Sequence, residues 1–234
     1  MNSMKRREWM RWCLFLGALT GCAANEAEVV PAPQEERTAV VEQSTRPDNE
    51  EKKEEREADE PVVETDGNVT RINGIVLVNK DYGVAADYAP GEDPEALAAL
   101  MDMIGDMQSA GLDVSGEYSG FRSYQTQADL YAGYVAAYGQ QEADTFSARP
   151  GFSEHQTGLA FDLKHGSGQL LEGETEAGWL LDHAGEYGFI VRYQEGKEEV
   201  TGYIAEPWHV RYIGEQAPAI QQSGLALEQY LGIK

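Results

Sequence analysis

The chain has 234 residues, with 41 acidic and 18 basic side chains and a formal net charge of −23 at pH 7. Nucleic acid is excluded as an expected partner, because binding it requires a basic surface. The only cysteines are Cys13 and Cys22, so the chain beyond residue 22 offers neither a disulfide nor a thiolate ligand. Any metal ion bound there must therefore be held by histidine and carboxylate side chains.

Residues 1–22 are predicted to be a lipoprotein signal peptide. Basic residues precede an apolar run over 12–19, which is too short to span a bilayer. The following Leu19-Thr20-Gly21-Cys22 is similar to the lipobox of bacterial lipoproteins, which implies lipidation of Cys22. We therefore expect an extracytoplasmic protein that is anchored to the bacterial cell membrane by lipid. The alternative is a plain signal peptide with an incidental cysteine.

Residues 23–70 are predicted to form an acidic, disordered linker. The segment contains four prolines and the run NEEKKEEREADE, and it has too few apolar residues to offset the entropy cost of folding. The alternative is a solvated charged helix around residues 50–60. Either form would hold the rest of the chain away from the membrane.

Residues 71–234 are predicted to form one domain, with 25 acidic and nine basic residues. The segment 73–80 is typical of a strand. A helix is expected to start with Asp93 as its cap and Pro94 in its first turn, and to end at Gly111. The segment VSGEYSG (114–120) is a second candidate strand.

Further elements are expected towards the carboxyl end. Ser123 is expected to cap a helix that runs through Tyr138, and LAFDL (159–163) is typical of a short strand. Thr175 is expected to cap another helix, which Gly188 closes. The strand FIVRY (189–193) and the segment 202–214 are predicted to pair as a hairpin. Helices mixed with adjacent antiparallel strands indicate an α+β fold, a small antiparallel sheet flanked by helices.

Two polar segments of this domain contain candidate metal ligands. The first, SARPGFSEHQTGLAFDL (147–163), supplies His155 and Asp162, and the second, EPWHVRYIG (206–214), supplies His209. Two imidazoles and one carboxylate suit zinc and leave a fourth position for water, whose pKa the metal lowers. From residue chemistry alone, a buried histidine with an ordinary structural role remains an alternative.

Glu206 is the candidate base, able to take a proton from water and pass it to a leaving amine. It lies three residues before His209, and residues with that spacing face opposite sides of a regular strand. If the two residues act together, the backbone must bend at Pro207.

Arginine is scarce in this acidic domain. Four of its five arginines, at 122, 149, 192 and 211, lie near the polar segments. This distribution suggests recognition of an anion such as a substrate carboxylate. Ordinary ion pairing is the alternative.

The segments SGFRSYQTQADLY (119–131), 147–163 and 206–214 resemble the signature motifs of VanY-type D-alanyl-D-alanine carboxypeptidases. These enzymes belong to the LAS group of zinc peptidases. Segments 77–90 and 187–203 are also similar to the family's pattern. The resemblance implies the LAS-type fold, with Zn²⁺ on His155, Asp162 and His209 and with Glu206 as base.

The resemblance also implies roles around the metal. Arg122 is expected near the scissile carbonyl, where it would stabilise the developing oxyanion. Gln127, Ser153 and Trp208 are expected to bind substrate. Tyr124 and the arginines at 149, 192 and 211 have structural roles as alternatives, and His165 and His183 are expected to have no catalytic role.

The implied function is removal of the terminal D-alanine from peptidoglycan stem peptides, as a DD-carboxypeptidase. The motifs do not separate this from an LD-carboxypeptidase that acts on tetrapeptides. A non-catalytic cell-wall-binding lipoprotein and an endopeptidase that cuts cross-bridges are further alternatives. We expect a monomer.

Overall fold

The computed structural model describes residues 60–234, which form an α+β fold with two antiparallel sheets. The predicted fold class is thereby confirmed. The predicted signal peptide, Cys22 and residues 23–59 of the predicted linker lie outside the described residues. Among the described residues, no helix combines the length and apolar character needed to cross a membrane.

The first sheet has three short strands, β1 (Val63–Thr65), β2 (Thr70–Ile72) and β3 (Ile75–Leu77), in the order β1-β2-β3. Asn73 and Gly74 connect β2 to β3 with φ angles of 51° and 82°, as a two-residue hairpin turn requires. Strand β1 lies within the predicted linker. The folded domain therefore includes residues before 71, because β2 provides β1 with a partner edge that composition does not reveal.

The two predicted amino-terminal helices are present. Helix α1 (Pro94–Ser109) begins as expected, with the Asp93 carboxylate accepting hydrogen bonds from two backbone N–H groups of the first turn. Helix α2 (Tyr124–Tyr138) begins after Ser123, whose hydroxyl accepts from Thr126 N. Gly139, with φ 82°, ends α2 and allows α3 (Gln140–Phe146) to start at once.

The second sheet carries most of the predicted strands. It contains β4 (Tyr118–Ser119), β5 (Ala160–Leu163), β6 (Phe189–Tyr193) and β7 (Glu206–Tyr212) in the order β4-β5-β7-β6. All neighbouring pairs are antiparallel, and the pairing of β6 with β7 is the expected hairpin.

The remaining helices are short. Helix α4 (Glu174–His183) begins one residue before Thr175, so the prediction of Thr175 as its cap is wrong. A 3-10 turn follows α4 and ends at Gly188, as expected for that glycine. Helices α5 (Glu198–Thr201), α6 (Ala217–Ser223) and α7 (Leu227–Tyr230) were not predicted.

Apolar side chains pack on both faces of the second sheet. On one face, Phe189 and Val191 of β6 join Leu100 and Met103 of α1 in the larger buried cluster. On the other face, Ile190 joins a second cluster, because successive strand residues point to opposite sides. The second cluster combines residues from β2 and β3 with residues from α6 and α7, namely Ile72, Ile75, Leu77, Ala217, Ile220, Leu227 and Leu231.

Candidate metal centre

The three predicted metal ligands converge at one end of the second sheet. His155 lies in a 3-10 helix (Glu154–Thr157), Asp162 lies on β5, and His209 lies directly opposite Asp162 on β7. One ligand atom from each residue lies within 4.8 Å of the other two. His155 Nε2 is 3.2 Å from Asp162 Oδ2, and His209 Nδ1 is 3.2 Å from Asp162 Oδ1.

The outer nitrogen of each imidazole has its own partner. His155 Nδ1 lies 2.9 Å from the Gly120 carbonyl oxygen, so it donates a proton there. His209 Nε2 lies 3.3 Å from Glu154 Oε2 and donates to that carboxylate. In the neutral imidazoles, which are the forms that bind a metal, these contacts leave His155 Nε2 and His209 Nδ1 as lone pairs that face Asp162.

This arrangement fits a zinc ion. Asp162 Oδ1 is buried and has no hydrogen-bond partner among the described residues, although buried polar atoms are normally satisfied. Burial alone would lower the pKa of His209, but the Asp162 and Glu154 carboxylates raise that pKa to about 9. The site therefore favours positive charge, and two nitrogens with one oxygen form a zinc donor set that leaves one position open.

Glu206 lies on the same side of β7 as His209, and its Oε2 is 3.6 Å from His209 Nδ1. The register explains how. Between the pairs Val191–Val210 and Tyr193–Glu206, β6 advances by two residues and β7 by four. The resulting bulge supplies the bend expected at Pro207. Burial raises the pKa of Glu206 to about 7, in the range suited to a group that both accepts and donates protons.

Arg122 approaches the metal ligands from α2's side of the cleft. Its Nη2 lies 3.6 Å from Asp162 Oδ2, and its Nη1 donates to Gln127 Oε1 over 2.9 Å. The Gln127 amide in turn donates to the Ala148 carbonyl over 2.6 Å. Gln127, predicted as a substrate-binding residue, thus lines the cleft while its amide holds the guanidinium.

These groups open into a cleft of about 300 Å³. Ser153 and Trp208, the other predicted substrate-binding residues, line it. Aromatic and aliphatic side chains that sequence reasoning did not single out form the rest of its wall, namely Leu130, Tyr134, Phe146, Leu170, Tyr193, Tyr203 and Ile204. Spacing gave no signal for them, because they come from α2, α3, the loop after β5, the last residue of β6 and the connection between β6 and β7.

The residues with competing structural explanations lie away from the ligand atoms. His165 contacts Asp113, and His183 contacts Glu186. Arg149 makes a bidentate ion pair with Asp144. Arg192 and Arg211 are buried in ion pairs with Glu154, which sequence reasoning left without a role. Tyr124 is partly exposed.

Comparison with known proteins agrees with this geometry. A family model described as VanY, D-alanyl-D-alanine carboxypeptidase, matches residues 91–215. The putative carboxypeptidase YodJ of Bacillus subtilis (strain 168) is 37% identical over 183 residues, 68% of this chain and 67% of that protein. A D-alanyl-D-alanine carboxypeptidase of Enterococcus faecalis is 41% identical over 176 residues, 67% of this chain and 65% of that protein. This chain therefore matches about two thirds of the length of each relative.

Solved structures show the same fold. The LdcB LD-carboxypeptidase superposes with a TM-score of 0.73 and is 51% identical, covering 75% of this chain and 97% of its own. The L,D-carboxypeptidase DacB of Streptococcus pneumoniae superposes with a TM-score of 0.72 and is 52% identical, covering 74% of this chain and 97% of its own. A third structure is a mutant of the D,D-pentapeptidase VanY from a VanB-type resistance cassette, solved with Zn(II). It superposes with a TM-score of 0.59 and is 34% identical, covering 66% of this chain and 97% of its own. The chain therefore belongs to the VanY family of D-alanyl-D-alanine carboxypeptidases and is a zinc metallopeptidase.

Proposed function

We propose that this protein removes the carboxyl-terminal D-alanine from peptidoglycan stem peptides and that the tetrapeptide is its preferred substrate. The observation that carries the hydrolytic function is the placement of Glu206 and Arg122. Glu206 Oε2 lies 3.6 Å from His209 Nδ1, and Arg122 Nη2 lies 3.6 Å from Asp162 Oδ2, inside one cleft. A proton carrier and a fixed cation thus border the place where a peptide carbonyl would meet the ion.

Preference for the tetrapeptide, the LD-carboxypeptidase reaction, is supported by similarity. The two LD-carboxypeptidase structures are 51% and 52% identical to this chain, whereas the VanY mutant is 34% identical. The DD-carboxypeptidase reaction on pentapeptides is the second candidate. It is favoured by the description of the family and by the Enterococcus faecalis relative.

In the proposed mechanism His155, Asp162 and His209 would hold a zinc ion, and the atoms available to it are His155 Nε2, a carboxylate oxygen of Asp162 and His209 Nδ1. When bound, zinc supplies Lewis acidity that polarises the scissile carbonyl and lowers the pKa of water. Glu154 and the Gly120 carbonyl orient the two imidazoles by accepting their outer N–H groups.

Glu206 carries the proton. Its carboxylate accepts a proton from the water that adds to the carbonyl carbon and delivers it to the D-alanine nitrogen as the C–N bond breaks. Arg122 stabilises the negative charge that develops on the carbonyl oxygen, since its guanidinium is already fixed by Gln127. Ser153, Gln127 and Trp208 bind the substrate, and the Ser153 hydroxyl is suited to a terminal carboxylate.

Digestion of defined peptides tests this proposal. Tetrapeptide, pentapeptide and a cross-linked dimer are incubated separately with the zinc-loaded protein, with and without a chelator, and the products are identified by mass. We expect tripeptide from tetrapeptide, with loss of activity in the chelator. Faster release of D-alanine from pentapeptide would favour the DD reaction, and cleavage within the cross-link would favour an endopeptidase. No product from any peptide would support a non-catalytic wall-binding protein.

We further propose that the protein is a monomer anchored outside the cytoplasm by lipid on Cys22. The lipid anchor is supported by the basic residues at the start of the chain, by the short apolar run that follows them and by the sequence LTGC (19–22). Metabolic labelling with a radioactive fatty acid should mark the wild type but not Cys22→Ser, which should also leave the membrane fraction. Labelling of both would contradict lipidation at Cys22. Light scattering of the purified domain tests its oligomeric state.

A further inference from the structure

Behind the metal ligands lies a cluster of four charged side chains that is fully buried. Glu154 is its centre. Its Oε1 accepts hydrogen bonds from Arg192 Nε and from Arg211 Nη1, each over 2.8 Å. Its Oε2 faces His209 Nε2. Two guanidinium groups thus determine where the carboxylate that orients His209 lies.

Arg192 is itself held from the opposite direction by Glu228 of α7. Its Nη1 and Nη2 donate to the two Glu228 oxygens over 3.0 and 2.6 Å, in the forked geometry typical of an arginine–carboxylate pair. The Glu228 Oε1 atom also accepts from Asn79 Nδ2 over 3.2 Å. The Asn79 Oδ1 atom caps the turn at residues 81–82. An unbroken series of hydrogen bonds therefore joins α7 to a metal ligand.

The outer members of this series lie outside the part of the chain that the family model matches. That part covers residues 91–215 and includes the three metal ligands and Glu206. Asn79 precedes it and Glu228 follows it. The part of the chain that the family model matches therefore does not include all the residues that hold Arg192 and, through Arg192, Glu154.

Charge balance makes Glu228 important for more than packing. Glu154 and Glu228 together carry two negative charges, which match the two positive charges of Arg192 and Arg211. Without the Glu228 carboxylate, two buried guanidinium groups would share Glu154 alone. Glu154 would then accept more weakly from His209, and the region beside the cation would be more positive. Both effects oppose metal binding.

We propose that Glu228 is a positioning residue for the zinc centre. By holding Arg192, it fixes Glu154 in the place from which Glu154 sets the tautomer and orientation of His209. Helix α7 is thereby part of the metal-binding apparatus, although none of its side chains contacts the ligand atoms. The proposal depends on zinc binding at His155, Asp162 and His209 and not on which peptide bond is cut.

Zinc affinity of Glu228→Gln tests the proposal without any substrate. The apo-protein is titrated with zinc in competition with a chromophoric chelator, below the unfolding temperature of every variant. We expect Glu154→Gln to weaken binding by about 10- to 100-fold, the usual range for a group bonded directly to a metal-ligating histidine. Glu228→Gln, two hydrogen-bond steps further out than Glu154, should weaken binding by roughly 3- to 10-fold. The visible spectrum of the cobalt(II) protein should change in both variants.

Leu231→Ala is the matched control, because Leu231 is buried beside α7 but makes none of these hydrogen bonds. It should lower the unfolding temperature while leaving zinc affinity and the cobalt spectrum unchanged. Wild-type affinity and spectrum in Glu228→Gln would overturn the proposal, as would an equal loss of affinity in Leu231→Ala.

Arg192→Lys keeps the proposal testable if Glu228→Gln does not fold. It preserves the charge but removes the fork that joins Glu154 to Glu228. It should also weaken zinc binding, and unchanged affinity in this variant would again contradict the proposal. A failure of peptide hydrolysis with normal zinc binding would count against the proposed function and not against this inference.

Discussion

Glu206 owes its position to a local irregularity of β7, where the backbone bulge brings it to the side of the strand that carries His209. The side chain lines the cleft and contacts His209. Among the described residues, Arg122 forms its ion pair with Asp162 and not with Glu206. The Glu206 carboxylate is therefore available to a water molecule at the open coordination position. This availability leads to a prediction about chemistry that is separate from metal binding.

Replacing Glu206 by Gln should lower kcat by roughly 10²- to 10⁴-fold, because the amide cannot accept the proton from water. Zinc content should stay near that of the wild type, since Glu206 is not one of the three ligands. Steady-state kinetics and metal analysis of the same sample measure both effects. Glu215→Gln, an exposed change shortly after β7, is the control. Undiminished hydrolysis in Glu206→Gln would refute the assignment of the base.

Arg122→Lys should lower kcat by roughly 10²- to 10³-fold, with a smaller change in KM. A lysine keeps the charge, but it cannot both contact Gln127 and direct a second N–H at the oxyanion. Single-turnover hydrolysis of the preferred peptide measures the effect on the chemical step. Arg71→Lys, on the exposed side of β2, should have normal activity. An Arg122→Lys enzyme with a normal kcat and a raised KM would instead indicate a role in substrate binding alone.

At the scale of secondary structure, the 3-10 helix that carries His155 is connected to β5 through Gly158. Gly158 has φ 74°, and a Cβ placed on it would overlap the backbone of Gly91. Its carbonyl also accepts a hydrogen bond from Asp93 N, which ties this turn to the start of α1. The conformation of this turn thus determines how close His155 and Asp162 lie in space.

Gly158→Ala should therefore destabilise the fold by more than the left-handed conformation alone accounts for, roughly 3 kcal/mol or more, and should weaken zinc binding. Gly168→Ala isolates the conformational effect, because Gly168 has φ 84° but open space around it. That control should cost about 1–2 kcal/mol and leave zinc affinity unchanged. Urea unfolding and zinc titration of both variants test the comparison. Equal destabilisation in the two would show that the close approach to Gly91 can relax.

The elements that sequence reasoning predicted best have signals within a few residues. Asp93 with Pro94, Ser123 and Gly188 act through backbone groups of adjacent turns, so their roles can be read locally. The prediction of Thr175 as a helix cap was wrong because a threonine among acidic residues gives the same local pattern whether it caps a helix or lies in its first turn. Helices α5 to α7 have only four to seven residues, too few for their own sequence to stabilise them. Packing into the second cluster stabilises α6 and α7.

The same distinction applies to the site. The three ligands, Glu206 and Arg122 were predicted from the sequence because the motifs that contain them combine particular residue types with fixed spacings. Glu154 was not assigned, since a glutamate beside a histidine in a loop gives no indication that both arginines on neighbouring strands point at it. Glu228 was further out of reach, because its partner Arg192 lies 36 residues earlier on another element.

At the scale of the whole molecule, the buried ion pairs predict how stability depends on pH. Burial alone would raise the pKa values of Glu154 and Glu228, but attraction to Arg192, and for Glu154 also to Arg211, holds both pKa values below their usual range. A carboxyl group whose pKa is lowered by folding stabilises the fold above its unfolded pKa of about 4.3. That stabilisation is lost as the pH falls towards the folded pKa.

Zinc-free wild type should accordingly be more stable than Glu228→Gln at pH 6, and the difference should shrink as the pH falls below about 4.3. Urea unfolding at a series of pH values, with a chelator present throughout, measures the difference in unfolding free energy. Glu64→Gln, exposed on β1, should parallel the wild type at every pH. A difference between wild type and Glu228→Gln that stays constant from pH 6 to pH 3 would contradict the role of charge in this cluster.

The second buried cluster joins Ile72 of β2 and Leu77 of β3 to Leu227 and Leu231, so segments near the two ends of the described residues share one apolar interior. Because Leu227 follows Leu77 by 150 residues, this cluster cannot be completed until α7 has been synthesised. Completion of this interior is consequently a late event. The export proposed above would be compatible with such a delay, and the ion would then be captured at the destination and not in the compartment of synthesis.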